Sequence, residues 1–362
     1  MIEDKKNILL LGGTGAMGVH LTNLLSNCLD YNVYVSSRYN RKDFKNVHYI
    51  QGNAHEERFI IDTINSHDWS CIVDFMDYDF HELHQKIDLL LKHTDQYVFI
   101  SSCRIYAKSA IPIIESSDRL LDTVKEPDYL ASNEYGLNKA KCEDILKNSS
   151  LKNWTIVRPY ITYSEKRLKL GDLVDYSWLY RALHNRTIVF SQDIADHYTT
   201  LSYGLDVSYC ISKLICNKDA IGEDFNITGT DHLKWMDVLS IYTKTIQNEF
   251  GIRPKVLLLD KSIYSKNDKL KYQLKYDRIY DRIFDNSKIL SIVPDYSFTL
   301  MKEGLNKCLT AFIKDPSYSR INWIEEAIKD KLTHDKTPMY EIKGIKNKIR
   351  YFIYKYSKYN QK

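Results

Sequence analysis

The sequence predicts an α/β protein: a Rossmann-like doubly wound parallel sheet followed by a smaller C-terminal lobe. Three observations carry that expectation. Short apolar runs alternate with helix-period segments through the first half, a glycine-rich loop follows the first run, and the alternation weakens after about residue 160.

Residues 7–11, 32–35, 47–51, 71–75 and 97–100 are apolar along most of their length, as strands covered on both faces must be. Between them, residues 16–28, 56–66 and 80–93 have helical character. In the last of these, Phe80, Leu83, Ile87, Leu90 and Leu91 recur at helical spacing. Parallel strands need crossover connections, and these segments supply them.

Beyond residue 160 the chain has longer loops and more aromatic residues. A strand-like stretch at 224–228 and helices near 235–250 and 299–313 point to the second lobe. The expected division is a dinucleotide-type domain over 1–165 with a returning segment near 195–230. The second lobe then takes mainly 166–330, and a basic amphipathic tail takes 331–362. In that tail Ile342, Ile345, Ile349, Phe352 and Ile353 sit among Lys343, Lys346, Lys348, Arg350 and Lys355. The plainer expectation is a terminal helix packed on its own subunit or a partner. Contact with an anionic membrane surface is the second reading.

The 362 residues are 44% hydrophobic and 27% charged, an ordinary globular composition. With 51 basic against 47 acidic residues, the formal net charge of +4 gives no reason to expect nucleic acid as a partner. The start, MIEDKKNILLLGG, has the wrong charge for a signal peptide, and no run approaches the ~18 apolar residues of a membrane span. Seven scattered cysteines without a CxxC pair read as reduced thiols, so a cytoplasmic location is expected. His81-Glu82-Leu83-His84 falls one residue short of a zinc-binding HExxH helix, and no metal site is expected.

Gly12-Gly13-Thr14-Gly15-Ala16-Met17-Gly18 lies between the first strand and the first helix. Glycines 12, 15 and 18 let the backbone turn sharply and approach a pyrophosphate, whose charge the helix start favours. The expected dinucleotide contacts are Gly12, Thr14, Gly15, Ala16, Met17 and Gly18. After the second strand the chain reads Ser36-Ser37-Arg38, with no carboxylate to grip a ribose 2′-hydroxyl. Ser37 and Arg38 thus favour NADP over NAD, because a guanidinium pairs with a 2′-phosphate. Asn53, after the third strand, is placed for the adenine.

Tyr135-Gly136-Leu137-Asn138-Lys139 opens a helix, and its i, i+4 pair points a phenol and an ammonium into one space. The ammonium stabilises a phenolate, which is otherwise scarce at neutral pH because a free tyrosine has a pKa of ~10. Ser102, at the end of the fifth strand, is the candidate for orienting a substrate oxygen.

The order of glycine loop, Ser101-Ser102-Cys103-Arg104-Ile105-Tyr106 and Tyr135-x-x-x-Lys139 resembles the extended short-chain dehydrogenase/reductase family, in particular its nucleotide-sugar branch. Arg158-Pro159, Phe225-Asn226-Ile227 and Phe284-Asp285-Asn286-Ser287-Lys288 extend the likeness over roughly 5–315. The resemblance implies a Ser102, Tyr135 and Lys139 triad, with Lys139 also on the nicotinamide ribose. It further implies a second lobe that binds a nucleotide sugar, and a homodimer. Dehydratases of this family carry an Asp-Glu pair where this chain has Cys103 and Arg104, so 4,6-dehydration is not expected. Arg104 and Arg278 are candidates for the substrate diphosphate. The leading functional expectation is an NADPH-dependent reductase of a nucleotide-linked keto sugar, a dTDP-4-keto-6-deoxyhexose being the sharpest guess. A nucleotide-sugar 4-epimerase holding NAD is the alternative, and a non-catalytic dinucleotide sensor or binding module is a third.

Overall fold

Strand β1 (Lys6–Leu11) runs through the middle of a seven-stranded sheet because its side chains are apolar on both faces. The other strands are β2 (Tyr31–Ser37), β3 (Val47–Gln51), β4 (Cys71–Asp74), β5 (Tyr97–Ile100), β6 (Trp154–Pro159) and β7 (Asp224–Ile227). Their spatial order is β7-β6-β5-β4-β1-β2-β3, and every pairing is parallel. The strand order reverses between β1 and β4, the place where open parallel sheets form a crevice at their carboxyl ends. This computed structural model describes residues 5–262, 268–316, 318 and 321–357. Residues 1–4 and 358–362, the ends of the predicted first domain and tail, lie outside the described residues.

Because side chains alternate along a strand, each β-strand feeds two cores. Ile8, Leu10, Val33, Val35 and Val73 face helix α1 (Gly18–Leu25) and the helix Gly204–Leu214. Leu9, Leu11, Ile72 and Phe99 face α2 (Glu57–Ile64), α3 (Phe80–Lys92) and α4 (Tyr135–Asn148). Asp79 caps α3 by accepting the amide of Glu82, which fixes where the crossover from β4 becomes helix.

The chain divides into two compact units. The first contains Met1–Ser164, Thr199–His232 and Asn267–Met301, the last a segment that the sequence reading gave to the second lobe. The stretch at 224–228 falls within the returning segment expected near 195–230: β7 is an edge strand of the main sheet, paired with β6, and Phe225 and Ile227 enter its core. Arg158 and Pro159 are the last two residues of β6.

The second unit contains Glu165–Tyr198, Leu233–Lys266 and Lys302–Lys362. Ile188–Ser191 pairs in parallel with Val256–Leu259, and Trp178 stacks on Tyr242 at 4.4 Å between ring centroids. Arg181 is fully buried and donates to Glu326, Asp330 and Asp335. The first two acceptors lie on α5 (Trp323–Thr333), which also carries α6 (Ile345–Tyr356). The predicted tail therefore contains a folded helix.

Candidate functional site

The glycine turn sits at the carboxyl end of β1. Gly12 has φ +70°, a conformation that favours glycine, and its amide donates to Ser36 Oγ at 2.8 Å, tying the turn to the end of β2. A Cβ on Gly18 would come within 2.6 Å of the Gly13 backbone, so helix α1 approaches the turn only without a side chain there. A Cβ on Gly15 would meet nothing nearer than Gly12 O at 3.9 Å. Gly18 is thus a packing glycine, while Gly15 borders open space at the helix start.

Beyond β2, Ser37 is buried, and its Oγ donates to Tyr39 O and accepts from Arg41 Nε at 3.3 Å. Arg38 and Arg41 are exposed, the latter over the Tyr49 ring. Asn53 follows β3, half-buried, and its Oδ1 accepts the amide of His55.

Ser102 follows β5 and opens a short 3₁₀ turn (Cys103–Ile105), accepting the amide of Arg104 at 3.2 Å. That turn packs against α4. Gly136 makes the approach possible, since a Cβ there would come within 2.6 Å of Arg104 O. Tyr135 is the first residue of α4 and half-buried; Lys139, one turn on, is 3% exposed. Lys139 Nζ donates to Ile100 O at 3.2 Å and to Met76 O at 3.4 Å, and lies 5.7 Å from the Tyr135 ring centroid. Burial disfavours its charge, but Tyr135, Asp77, Cys142 and Asp74 outweigh this and its pKa is raised. The end of β5, the segment after β4 and the first turn of α4 therefore converge on one ammonium.

Four residues that complete this arrangement escaped the sequence reading. Glu134 caps α4 by accepting the amide of Gly136 at 2.7 Å and also accepts from Arg104 Nη2. Asn138 accepts the amide of Phe80 and donates to Tyr78 O, both at 2.8 Å, pinning α4 to the segment after β4. Glu143 continues the Tyr135–Lys139 face at the next i+4 position. It is fully buried and accepts from Ser101 Oγ and from Arg158 Nε and Nη2. Asp277 gathers Arg278 and Arg282, accepts from Tyr160 at 3.1 Å, and makes a 3.5 Å ion-pair contact with Arg104. Burial would raise its pKa, yet the three guanidiniums hold it below the usual carboxylate range. The continued i+4 spacing was a readable signal for Glu143; the role of Asp277 had none, because Arg104 and Tyr160 come from distant segments.

The candidates Arg104 and Arg278 are thus brought together, Arg104 partly buried and Arg278 buried, each paired with a carboxylate of its own chain. The Arg104 guanidinium also lies 5.2 Å from the Tyr135 ring centroid. Cys103 is buried and donates to Arg158 O, and burial pushes its thiol well up. Below the site, Asp74 is fully buried, accepting from Met76 N at 2.9 Å and Tyr97 Oη at 2.8 Å. Burial pushes its pKa up to about 6.

No protein-family model and no curated protein sequence matches the chain. Solved structures do match. The dTDP-glucose 4,6-dehydratase of Bacillus anthracis, in complex with NAD, has 14% identity and a TM-score of 0.65, over 86% of this chain and 97% of that one. The UDP-glucuronic acid 4-epimerase of Bacillus cereus, also with NAD, has 16% identity and a TM-score of 0.63, over 86% and 100%. The UDP-N-acetylglucosamine 4-epimerase of Methanobrevibacter ruminantium, in complex with UDP-N-acetylmuramic acid, has 14% identity and a TM-score of 0.65, over 86% and 99%. The chain has the fold of these nucleotide-sugar dehydratase and epimerase structures.

Proposed function

We propose that the chain is a nicotinamide-dependent oxidoreductase of a nucleotide-activated sugar, and that 4-epimerisation is the reaction that fits best. The observation that carries the reading is the Lys139 ammonium, fixed on Ile100 O and Met76 O one helical turn from Tyr135. The glycine turn fits a dinucleotide: Gly15 borders open space where a pyrophosphate can approach, while Gly18 lets α1 close on the turn. A bound nicotinamide supplies hydride acceptance and return.

The protein's own part is proton handling and orientation. Tyr135 takes the proton of the sugar hydroxyl as its carbon is oxidised and returns it on reduction; Lys139 favours the phenolate this requires. Ser102 holds the same oxygen by a hydrogen bond. Arg104 and Arg278 contribute positive charge to a site for an anionic substrate, shared with Glu134 and Asp277. Removal of a sugar hydroxyl as water needs a proton donor next to Ser102. Cys103 is buried with a raised pKa and Arg104 is a cation, so 4,6-dehydration is disfavoured.

Epimerisation is favoured over reduction because several fold neighbours bear 4-epimerase names and were crystallised with NAD. Reduction with NADPH is the second reading, and exposed Arg38 and Arg41 at the exit of β2 favour it, as a guanidinium there can pair with a 2′-phosphate. Denaturing freshly purified protein and identifying released dinucleotide separates the two, alongside titration of the apo form with NADH and NADPH. Stoichiometric retained NAD supports the epimerase. Exchangeable NADPH, consumed with a keto-sugar nucleotide, moves the assignment to the reductase. Failure to bind either dinucleotide overturns both.

A further inference from the structure

Helix α6 is amphipathic in an inverted sense. Its buried residues are Tyr351 and Lys355; the Tyr351 ring joins an apolar cluster with Tyr180, Trp323, Ala327 and Ile342, and both residues also make polar contacts. Tyr351 Oη donates to Asp330 Oδ2 at 2.5 Å, and Lys355 Nζ donates to Asp335 O at 2.6 Å and to Tyr351 Oη at 3.1 Å. The apolar residues face outward instead: Ile345 is 78% exposed, Phe352 57%, Ile349 55% and Ile353 50%, with Tyr356 beside them at 58%. At 3.6 residues per turn these five fall within an arc of about 100°, one continuous stripe. Lys348 borders the stripe on one side and Lys346 and Arg350 on the other, all exposed. The helix has four basic residues and no acidic one.

We propose that α6 is a membrane-surface anchor, which lays this stripe into the headgroup boundary of an anionic phospholipid bilayer. The chemistry selects that occupant. An apolar stripe exposed to water is unfavourable until something covers it, and a bilayer interface accepts apolar side chains to a depth of ~5–10 Å. The flanking cations then lie at the level of the lipid phosphates, where each strengthens binding about fivefold. A second copy of α6 fits less well, because facing stripes would bring Lys346, Lys348 and Arg350 against their own duplicates. A nucleic acid would use the cations and leave the five apolar side chains in water. With twelve residues the helix lies on the surface, and among the described residues no helix is long and apolar enough to cross a membrane. The proposal does not depend on the reaction proposed above.

The test is flotation of the full chain with vesicles of phosphatidylcholine alone, or with about a third of the lipid replaced by phosphatidylserine. We expect recovery with the anionic vesicles only, falling as ionic strength rises. Phe352→Glu with Ile349→Glu should abolish recovery, and K346E with R350E should lower it at least tenfold. Both pairs are exposed, so thermal unfolding and dinucleotide binding should match the unsubstituted chain. No recovery with anionic vesicles, or recovery that survives Phe352→Glu with Ile349→Glu, overturns the proposal. So does a lipid-indifferent dimer that those two substitutions convert to monomer, which would make α6 an interface between copies.

Discussion

The guanidinium of Arg104 lies 5.2 Å from the ring centroid of Tyr135, and the Lys139 ammonium lies 5.7 Å from the same point. Two cations from different segments therefore flank one phenol. They are not equivalent: Lys139 donates to backbone carbonyls and has the exposed Asp77 carboxylate at 3.5 Å, whereas Arg104 is held by the buried carboxylates of Glu134 and Asp277.

If Tyr135 carries the proton, Tyr135→Phe removes the transferable group and little else. Turnover should fall about 10²–10⁴-fold. Dinucleotide affinity, measured by fluorescence titration, should stay within about twofold, since the glycine turn is untouched. An unchanged rate would remove Tyr135 from the chemistry.

Arg104→Leu leaves Glu134 buried without its guanidinium, while Asp277 keeps Arg278 and Arg282. A buried charge that loses its partner costs about 3 kcal/mol, to be read from urea unfolding. Arg104→Lys retains the charge without the planar fork and should lose roughly half as much. Equal stability of all three proteins would mean that the pair contributes nothing net.

Two glycines of one loop should respond in opposite ways. Gly18→Ala drives a methyl into the Gly13 backbone and should cost about 2–3 kcal/mol of stability. Gly15→Ala points its methyl into open space, so the melting temperature should hold while dinucleotide affinity drops at least tenfold. A stable Gly18→Ala, or a Gly15→Ala that binds normally, would contradict the assignment of packing and binding roles.

Asp74 makes stability depend on pH. Its carboxyl rises from 3.8 to about 6 in the folded chain because burial outweighs the Met76 amide, the Tyr97 hydroxyl and the charges of Lys139 and Lys86. Tyr78 packs in the same place and adds no opposing charge. Between about pH 4 and 6 the folded protein keeps a proton that the unfolded chain has released, so stability falls as pH rises through that window. The full penalty, about 3 kcal/mol, is present above it. Asp74→Asn should flatten this slope and gain part of that amount at neutral pH, measured by denaturation at both ends of the window. A slope that survives the substitution would place its origin elsewhere.

The central strands of the first half were legible because a parallel strand covered on both faces must be apolar at nearly every position, as runs 8–11, 71–73 and 97–100 are. The helix bearing Tyr135 and Lys139 was legible through its 3.6-residue period, and the glycine loop through the steric demand of a tight turn. These are local constraints, written within a dozen residues of chain.

What only the tertiary structure decided is which distant residues share a partner. Asp277 collects Arg278 and Arg282 close by, but Arg104 and Tyr160 from far along the chain; Glu143 joins Ser101 to Arg158; β7 pairs with β6 at the edge of the main sheet. The same holds for α6. Its sequence fixes an apolar stripe between basic residues, yet its direction depends on where Asp330 and Asp335 lie to receive Tyr351 and Lys355. A periodic pattern determines that a helix has two sides. Which side meets the protein is set by the partners waiting there, here an apolar cluster for the Tyr351 ring and polar acceptors for its hydroxyl and for Lys355.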